Sequence, residues 1–272
     1  MAKTWKSGNY RHMKFYQIDA FTNKIFGGNP ACVIPLEKWL PNNVLLNLAK
    51  ESGVSETAFF IDKGEKIHLR WFTPDIEIDL CGHGTLAAAH TLKTILNYRK
   101  DKIVFETISG ELIVSAEKGM YTLNFPSRPP ISVEMPEPIK KALNIQPVEI
   151  LKSRDYILVY ENEQQIRNIR IDRQIFDEIN IDPGGVAVTA RGDTCDFVSR
   201  FFTPQATILE DPVTGSSHCS LIPYWSKYLG KKDMIALQLS ERQGQLYCTE
   251  SGNRVLISGE AITFCEGEIF GL

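Results

Sequence analysis

The alternation of apolar and polar side chains changes period several times along this chain, and each change marks an element. Residues 14–20 mix aromatic and branched side chains with polar ones at near-alternation, the period of a half-buried strand. Gly27, Gly28, Asn29 and Pro30 predict a tight turn, after which 32–35 resumes extended structure. Over 41–51 the spacing of Val44, Leu45, Leu48 and Ala49 becomes helical, with Asn42 or Asn43 as N-cap and Gly53 ending the helix. Residues 54–60 read as the next strand. Two further stretches, 86–96 and 221–229, are apolar over most of a helical surface, so other elements must enclose them. The enclosing material is short, alternating and Gly-punctuated: 103–107, 111–116 and 121–125, then 235–239, 245–249, 254–257 and 262–264. Such segments predict curled, mostly antiparallel sheet around each helix.

The pattern also repeats. RWFTPDIEIDLC begins at Arg70, and RFFTPQATILED begins 130 positions later at Arg200; each runs into a Gly-containing turn ahead of an apolar helix. GVSETA at 53–58 returns as GVAVTA at 185–190, with four of six positions identical. Repetition on this scale predicts two similar halves. The expected division is a disordered leader over 1–12, a first half over 13–128 and a second over 129–272, with the Pro-rich run 126–138 as linker and a C-terminal end able to cross back to the first half.

Composition narrows the functional classes. A chain of 272 residues, 43% hydrophobic and 23% charged, is long enough for two cores. A net charge of −3 without a basic run or stripe speaks against nucleic-acid binding. No apolar run approaches the roughly 18 residues of a membrane span. Six scattered cysteines without a CxxC pair support neither a zinc cage nor a disulfide framework, and fit a reducing cytoplasm.

Candidate chemistry comes from the places where the copies differ. Aligned without gaps, Glu56 stands opposite Val188. If that slot is buried, a carboxyl in it is costly unless neutralised or paired, and it becomes a candidate acid/base; on a surface strand both residues are cheap. Cys81 stands opposite Asp211, each beside a turn that opens a helix: Gly82 to Thr85 in one copy, Thr214 to Ser217 in the other. A helix start leaves about four backbone N–H groups unpaired and carries roughly half a positive charge, so each turn is a potential carboxylate cradle in a cleft between the halves. The alternative is plain capping by Thr85 and Ser216. His68 and His90 read as satisfied core or surface residues, while His218 follows the second turn closely enough to reach the cleft. No spacing supports a metal site.

Together SETAF at 55–59, RWFTP with CGHGT at 70–85, EDPVTGSS at 210–217, GGNP at 27–30 and RQG at 242–244 resemble the phenazine biosynthesis PhzF-like family, which shares the diaminopimelate epimerase-like fold. The resemblance covers nearly all of the chain from Met13. It implies an α+β fold of two pseudo-twofold halves, each a curled sheet or barrel around a central helix, with the active site between them. It also implies a cytoplasmic homodimer and a cofactor-independent isomerase of a small carboxylate-bearing metabolite. By the same resemblance the catalytic residues are Glu56, His83 and Asp211. Gly84, Gly215 and Ser216, beside Cys81, become the substrate-binding positions; a single carboxyl such as Glu56 can take a proton from an acidified C–H and return it elsewhere if its pKa is raised toward working pH. Two alternatives stay open: an epimerase or racemase using Cys81 and Asp211, and a non-catalytic protein that keeps the cleft for a metabolite or partner.

Overall fold

The computed structural model describes residues 12–181 and 184–271, so the expected leader lies almost wholly outside the described residues. In the first half, β1 (Met13–Ala20) pairs antiparallel with β2 (Asn29–Pro35), and after α1 (Asn42–Ser52) the strand β3 (Glu56–Asp62) lies parallel to β2. The strand β4 (Ile67–Phe72) and the short β5 (Glu77–Ile78) lead into α2 (Gly82–His90). A meander of β6 (Lys102–Thr107), β7 (Gly110–Glu117) and β8 (Met120–Pro126) follows.

The second half repeats this plan with extra cover. It runs through β9 (Ile131–Ser132), α3 (Glu137–Ala142), β10 (Glu149–Lys152), β11 (Tyr156–Val159), α4 (Glu163–Asn168), α5 (Arg173–Phe176), β12 (Val186–Arg191), β13 (Phe197–Phe202) and β14 (Glu210–Asp211). Then come α6 (Gly215–Leu229), β15 (Asp233–Gln238), β16 (Gly244–Ser251) and β17 (Arg254–Ile269). The three helices α3, α4 and α5 lie in a stretch where the apolar pattern predicts nothing.

The last strand of each half joins the two. One stretch of β17 pairs with β8 and its far end with β1, which closes β1, β2, β3, β4, β6, β7, β8 and β17 into a ring of eight strands. Inside it every residue of α2 is buried, as an all-round apolar helix requires. The strands predicted separately at 254–257 and 262–264 are this one long strand, because it serves two neighbours in turn. The helix α2 continues into a wider turn over Thr91–Ile95, where the Leu96 N–H reaches back to the Thr91 carbonyl. The Pro-rich run is no free tether: Ser127 N–H donates to Asn253 O, and Arg128 N–H to Cys219 O. Capping differs from expectation too. Pro41, not Asn42 or Asn43, precedes α1; Cys81 caps α2, and Thr85 sits inside it, donating to the Cys81 carbonyl; Thr214 precedes α6.

The strand ladders also correct the register of the repeat. Arg70 pairs with Phe59 and Arg200 with Val188, so Val188 corresponds to Phe59, and three residues earlier Glu56 corresponds to Gly185. Trp71 pairs with Ile78 and Phe201 with Asp211, so Asp211 corresponds to Ile78. The second copy carries three extra residues between its FTP and its helix, and the true partner of the cap Cys81 is Thr214. An odd slip of a strand turns every side chain to the opposite face. Val188 accordingly packs among Leu158, Ile166 and Val198, on the face away from α6.

Candidate active site

Gly82 and Gly215, the first residues of α2 and α6, back onto each other: a Cβ added at Gly82 would lie 2.9 Å from the Gly215 Cα. Glycine stands at both helix starts because two backbones meet there. This close approach brings the ends of β2, β3, β14 and β15 around one point, beside a cleft of about 330 Å³ lined by Ser55, Glu56, Arg154, Asp155, Asp211 and Ser216 among others.

Asn29 is the hub. Its amide nitrogen donates to Asp211 Oδ1 at 2.6 Å and to the Val213 carbonyl at 2.9 Å, while its oxygen accepts from Ser55 Oγ at 3.0 Å. Asp211 also receives the Thr214 hydroxyl at 2.5 Å, and Gln238 holds that corner through the Thr214 amide (2.7 Å) and the Asp211 carbonyl (2.8 Å). On the other side His83, almost fully buried, places Nε2 3.0 Å from Glu56 Oε2 and Nδ1 3.7 Å from Cys81 Sγ. The Glu56 oxygen lacks a well-directed hydrogen bond, so the contact acts chiefly as an ion pair.

The two carboxyls are driven in opposite directions. Burial opposes charge on Glu56, yet the His83 charge, with the polar contacts of His83 and Ser55, outweighs it and holds the carboxyl below its ordinary value. Burial likewise opposes charge on His83, but the Cys81 sulfur and the Glu56 carboxylate raise its pKa well above the usual imidazole range. Asp211 is pushed up to about 6, first by burial and then by the Glu56 charge, against His83 and the hydrogen bonds from Thr214 and Asn29. Burial raises the Cys81 thiol. The expected raised carboxyl is therefore Asp211, not Glu56, because the imidazolium sits against Glu56.

The two helix starts differ as well. In α2 the Gly84 N–H is taken by Cys81 Sγ at 3.3 Å, and Gly84 does not line the cleft, so it is no cradle for a ligand. In α6 the Thr214 hydroxyl is spent on Asp211 and no side chain caps the helix. Ser216 lines the cleft at this open end, next to Gly215. Asn29, Ser55 and Thr214 lie in the motifs GGNP, SETAF and EDPVTGSS without being singled out as site residues, and Gln238 lies in no motif at all.

The remaining histidines are structural. His218 is buried with Nδ1 2.8 Å from the Thr214 carbonyl, and burial lowers its pKa to about 4, so it does not reach the cleft. His90 bonds Thr263 and Tyr121, and His68 accepts from Trp39.

The model of the phenazine biosynthesis-like protein family, PhzC-PhzF, matches residues 18–267. An uncharacterized isomerase of Pseudomonas aeruginosa is 43% identical over 258 residues, which is 94% of this chain and 98% of that one. The crystal structure of a PhzF-family phenazine biosynthesis protein from Enterococcus faecalis superposes with a TM-score of 0.90 at 42% identity, covering 96% of this chain and all of the other. A predicted epimerase from Pseudomonas aeruginosa, 16% identical, shares the fold with a TM-score of 0.74 over 96% of this chain and 100% of its own. With the family model and the relatives in agreement, this chain belongs to the PhzC-PhzF phenazine biosynthesis-like family.

Proposed function

We propose that this protein is an isomerase that moves a proton between carbons of a small carboxylate-bearing metabolite, with Glu56 as the group that takes and returns it. The observation that carries this reading is the split between Glu56 and Asp211. Two carboxyls in one cleft, one held ionised and one held partly protonated near neutral pH, are the starting states of a base and an acid. Glu56 accepts a proton from a C–H acidified by its neighbours and delivers it elsewhere on the same substrate. Such positioned proton transfer contributes roughly 10²–10⁴-fold. His83 stabilises the ionised base, and Asp211 donates a hydrogen bond or proton to the charge that develops on the substrate. The open end of α6 at Gly215 and Ser216 holds the substrate carboxylate through unpaired amides and the positive end of the helix dipole. These side chains form the whole proposed apparatus, so the reading calls for no cofactor.

Relatives named as isomerases support the class of reaction. A two-thiol racemase fits less well: Cys81 caps α2, but the matching position before α6 is Thr214, and Asp211 is not the symmetric counterpart of Cys81. No helix among the described residues is long and apolar enough to cross a membrane. All six cysteines are free, which agrees with a reducing, cytoplasmic setting; we also read the working form as a homodimer.

The test is hydrogen exchange in D₂O with a panel of small carboxylates bearing an acidified C–H. Deuterium should wash into the responsive member, and Glu56→Gln should abolish this while leaving its affinity nearly unchanged. Undiminished exchange in the variant rules out Glu56 as the base. A chain that binds carboxylates but exchanges none of them would be a binding module.

A further inference from the structure

The geometry points to a zinc-binding site formed by Glu56, Cys81 and His83, at which the ion blocks the cleft chemistry. A carboxylate oxygen, a sulfur and an imidazole nitrogen of these residues all lie within 4.8 Å of one another. His83 Nε2 is 3.0 Å from Glu56 Oε2 and 4.0 Å from Cys81 Sγ. Tetrahedral zinc at its usual bond lengths holds such donors roughly 3.3–3.6 Å apart, so the two His83 contacts need shifts of a few tenths of an ångström, while the widest separation, up to 4.8 Å, closes by about 1 Å as the side chains turn onto the ion. The donor set is one that zinc favours, and it joins sulfur, nitrogen and oxygen as a hard cation site would not.

Two further observations point to a ligand here. The Glu56 Oε2 atom is buried without a directed hydrogen bond, 3.0 Å from His83 Nε2. Glu56 also lines the cleft, so an ion on these three ligands is reached from its side, with Cys81 and His83 buried behind it. Sequence spacing conceals the site, since Cys81 and His83 are two residues apart on a helix start and the third ligand comes from a different strand.

Binding replaces the Cys81 S–H proton and the His83 proton, both released to solvent. It also occupies the carboxylate that the proposed reaction needs. The binding itself is independent of that reaction; its inhibitory effect rests on Glu56 being the base.

The experiment uses the full chain, free of any affinity tag and stripped with a chelator, titrated with zinc chloride by calorimetry and with cobalt(II) by absorbance. The expected result is one ion per chain and a thiolate-to-cobalt charge-transfer band in the near ultraviolet. Cys81→Ser should remove the band and weaken zinc at least about ten-fold; its hydroxyl still accepts the Gly84 N–H, and circular dichroism checks the fold. Glu56→Gln, at the cleft wall, should weaken zinc similarly while keeping the band. No stoichiometric uptake, or an undiminished band in Cys81→Ser, overturns the site. Zinc uptake at this site without loss of deuterium exchange leaves the site standing and removes Glu56 as the base.

Discussion

His83 Nε2 lies 3.0 Å from Glu56 Oε2, and this ion pair holds the Glu56 carboxyl below its ordinary value against the pull of burial. A carboxylate beside an opposite charge typically drops by about 1–3 pKa units. Removing the imidazolium with His83→Gln leaves burial opposed only by the Ser55 contact, so the Glu56 pKa should rise. The acid limb of the pH–rate profile for deuterium wash-in should move to higher pH by at least about one unit. A slower reaction with an unmoved limb would reduce His83 to a structural part.

Asp211 carries the opposite sign. Its folded pKa of about 6 lies above the ordinary carboxylate value of 3.8, so the native state is penalised for its ionisation. The penalty is absent below pH 4, grows as pH rises and is complete above about 6. Asp211→Asn should therefore match the parent's stability near pH 4 and exceed it by on the order of 1–3 kcal/mol at pH 7–8. Denaturant melts at the two pH values test this, and a constant difference would refute it. The gain at neutral pH should come with lost exchange activity.

The contact between Gly82 and Gly215 is backbone against backbone, and neither side can yield by rotating a side chain. Gly82→Ala should cost about 1–3 kcal/mol through overpacking. For a chain of this size the melting temperature should fall by roughly 2–4 °C for each kcal/mol. Exchange activity should fall with it, because the substitution separates Ser216 from Glu56. Unchanged melting would mean that the two helices part freely.

The duplicated arginines should differ in weight. Arg70 forks onto Glu77 at 2.7 and 2.6 Å and reaches Asn42. Arg200 forks onto Glu210 at 2.7 and 2.9 Å and also donates to the carbonyls of Ile166 and Ile169, which tie α4 to the sheet. Lysine cannot reproduce a fork with extra donors. Arg200→Lys should lose more stability than Arg70→Lys, by about 1 kcal/mol or more, because it strands the Ile169 carbonyl and leaves Ile166 only the long bond from the Ile169 N–H. Equal losses in urea titrations would contradict this.

Much of the fold is written locally. The all-round apolar surface of 86–90 and 221–225 demands an enclosing sheet, and the alternating segments supply one, whatever their partners. Between 137 and 176 the elements are four to six residues long, too short for a periodic signal, and they hold their shape by packing on Ile139, Ile166 and Phe176. The site was half legible: Glu56, His83 and Asp211 stand out by the chemistry of their side chains within the motifs, whereas Asn29 and Ser55 are neutral motif residues with no evident role, and Gln238 is an ordinary polar residue, until the chain folds.

The sequence by itself determined that there are two similar halves, that each holds a buried helix, and which carboxyls and glycines crowd the turns before those helices. Only the tertiary structure decided how the halves correspond. Gap-free comparison set Glu56 against Val188 and Cys81 against Asp211, whereas the strand ladders set Glu56 against Gly185 and Cys81 against Thr214. Identical letters in a short window can slide by three residues at no apparent cost. A hydrogen-bonded ladder cannot, since an odd slip drives apolar side chains out of the core. The same holds for charge: which carboxyl is lowered and which is raised depends on burial and on distances to one buried imidazole, and those exist only in the folded chain.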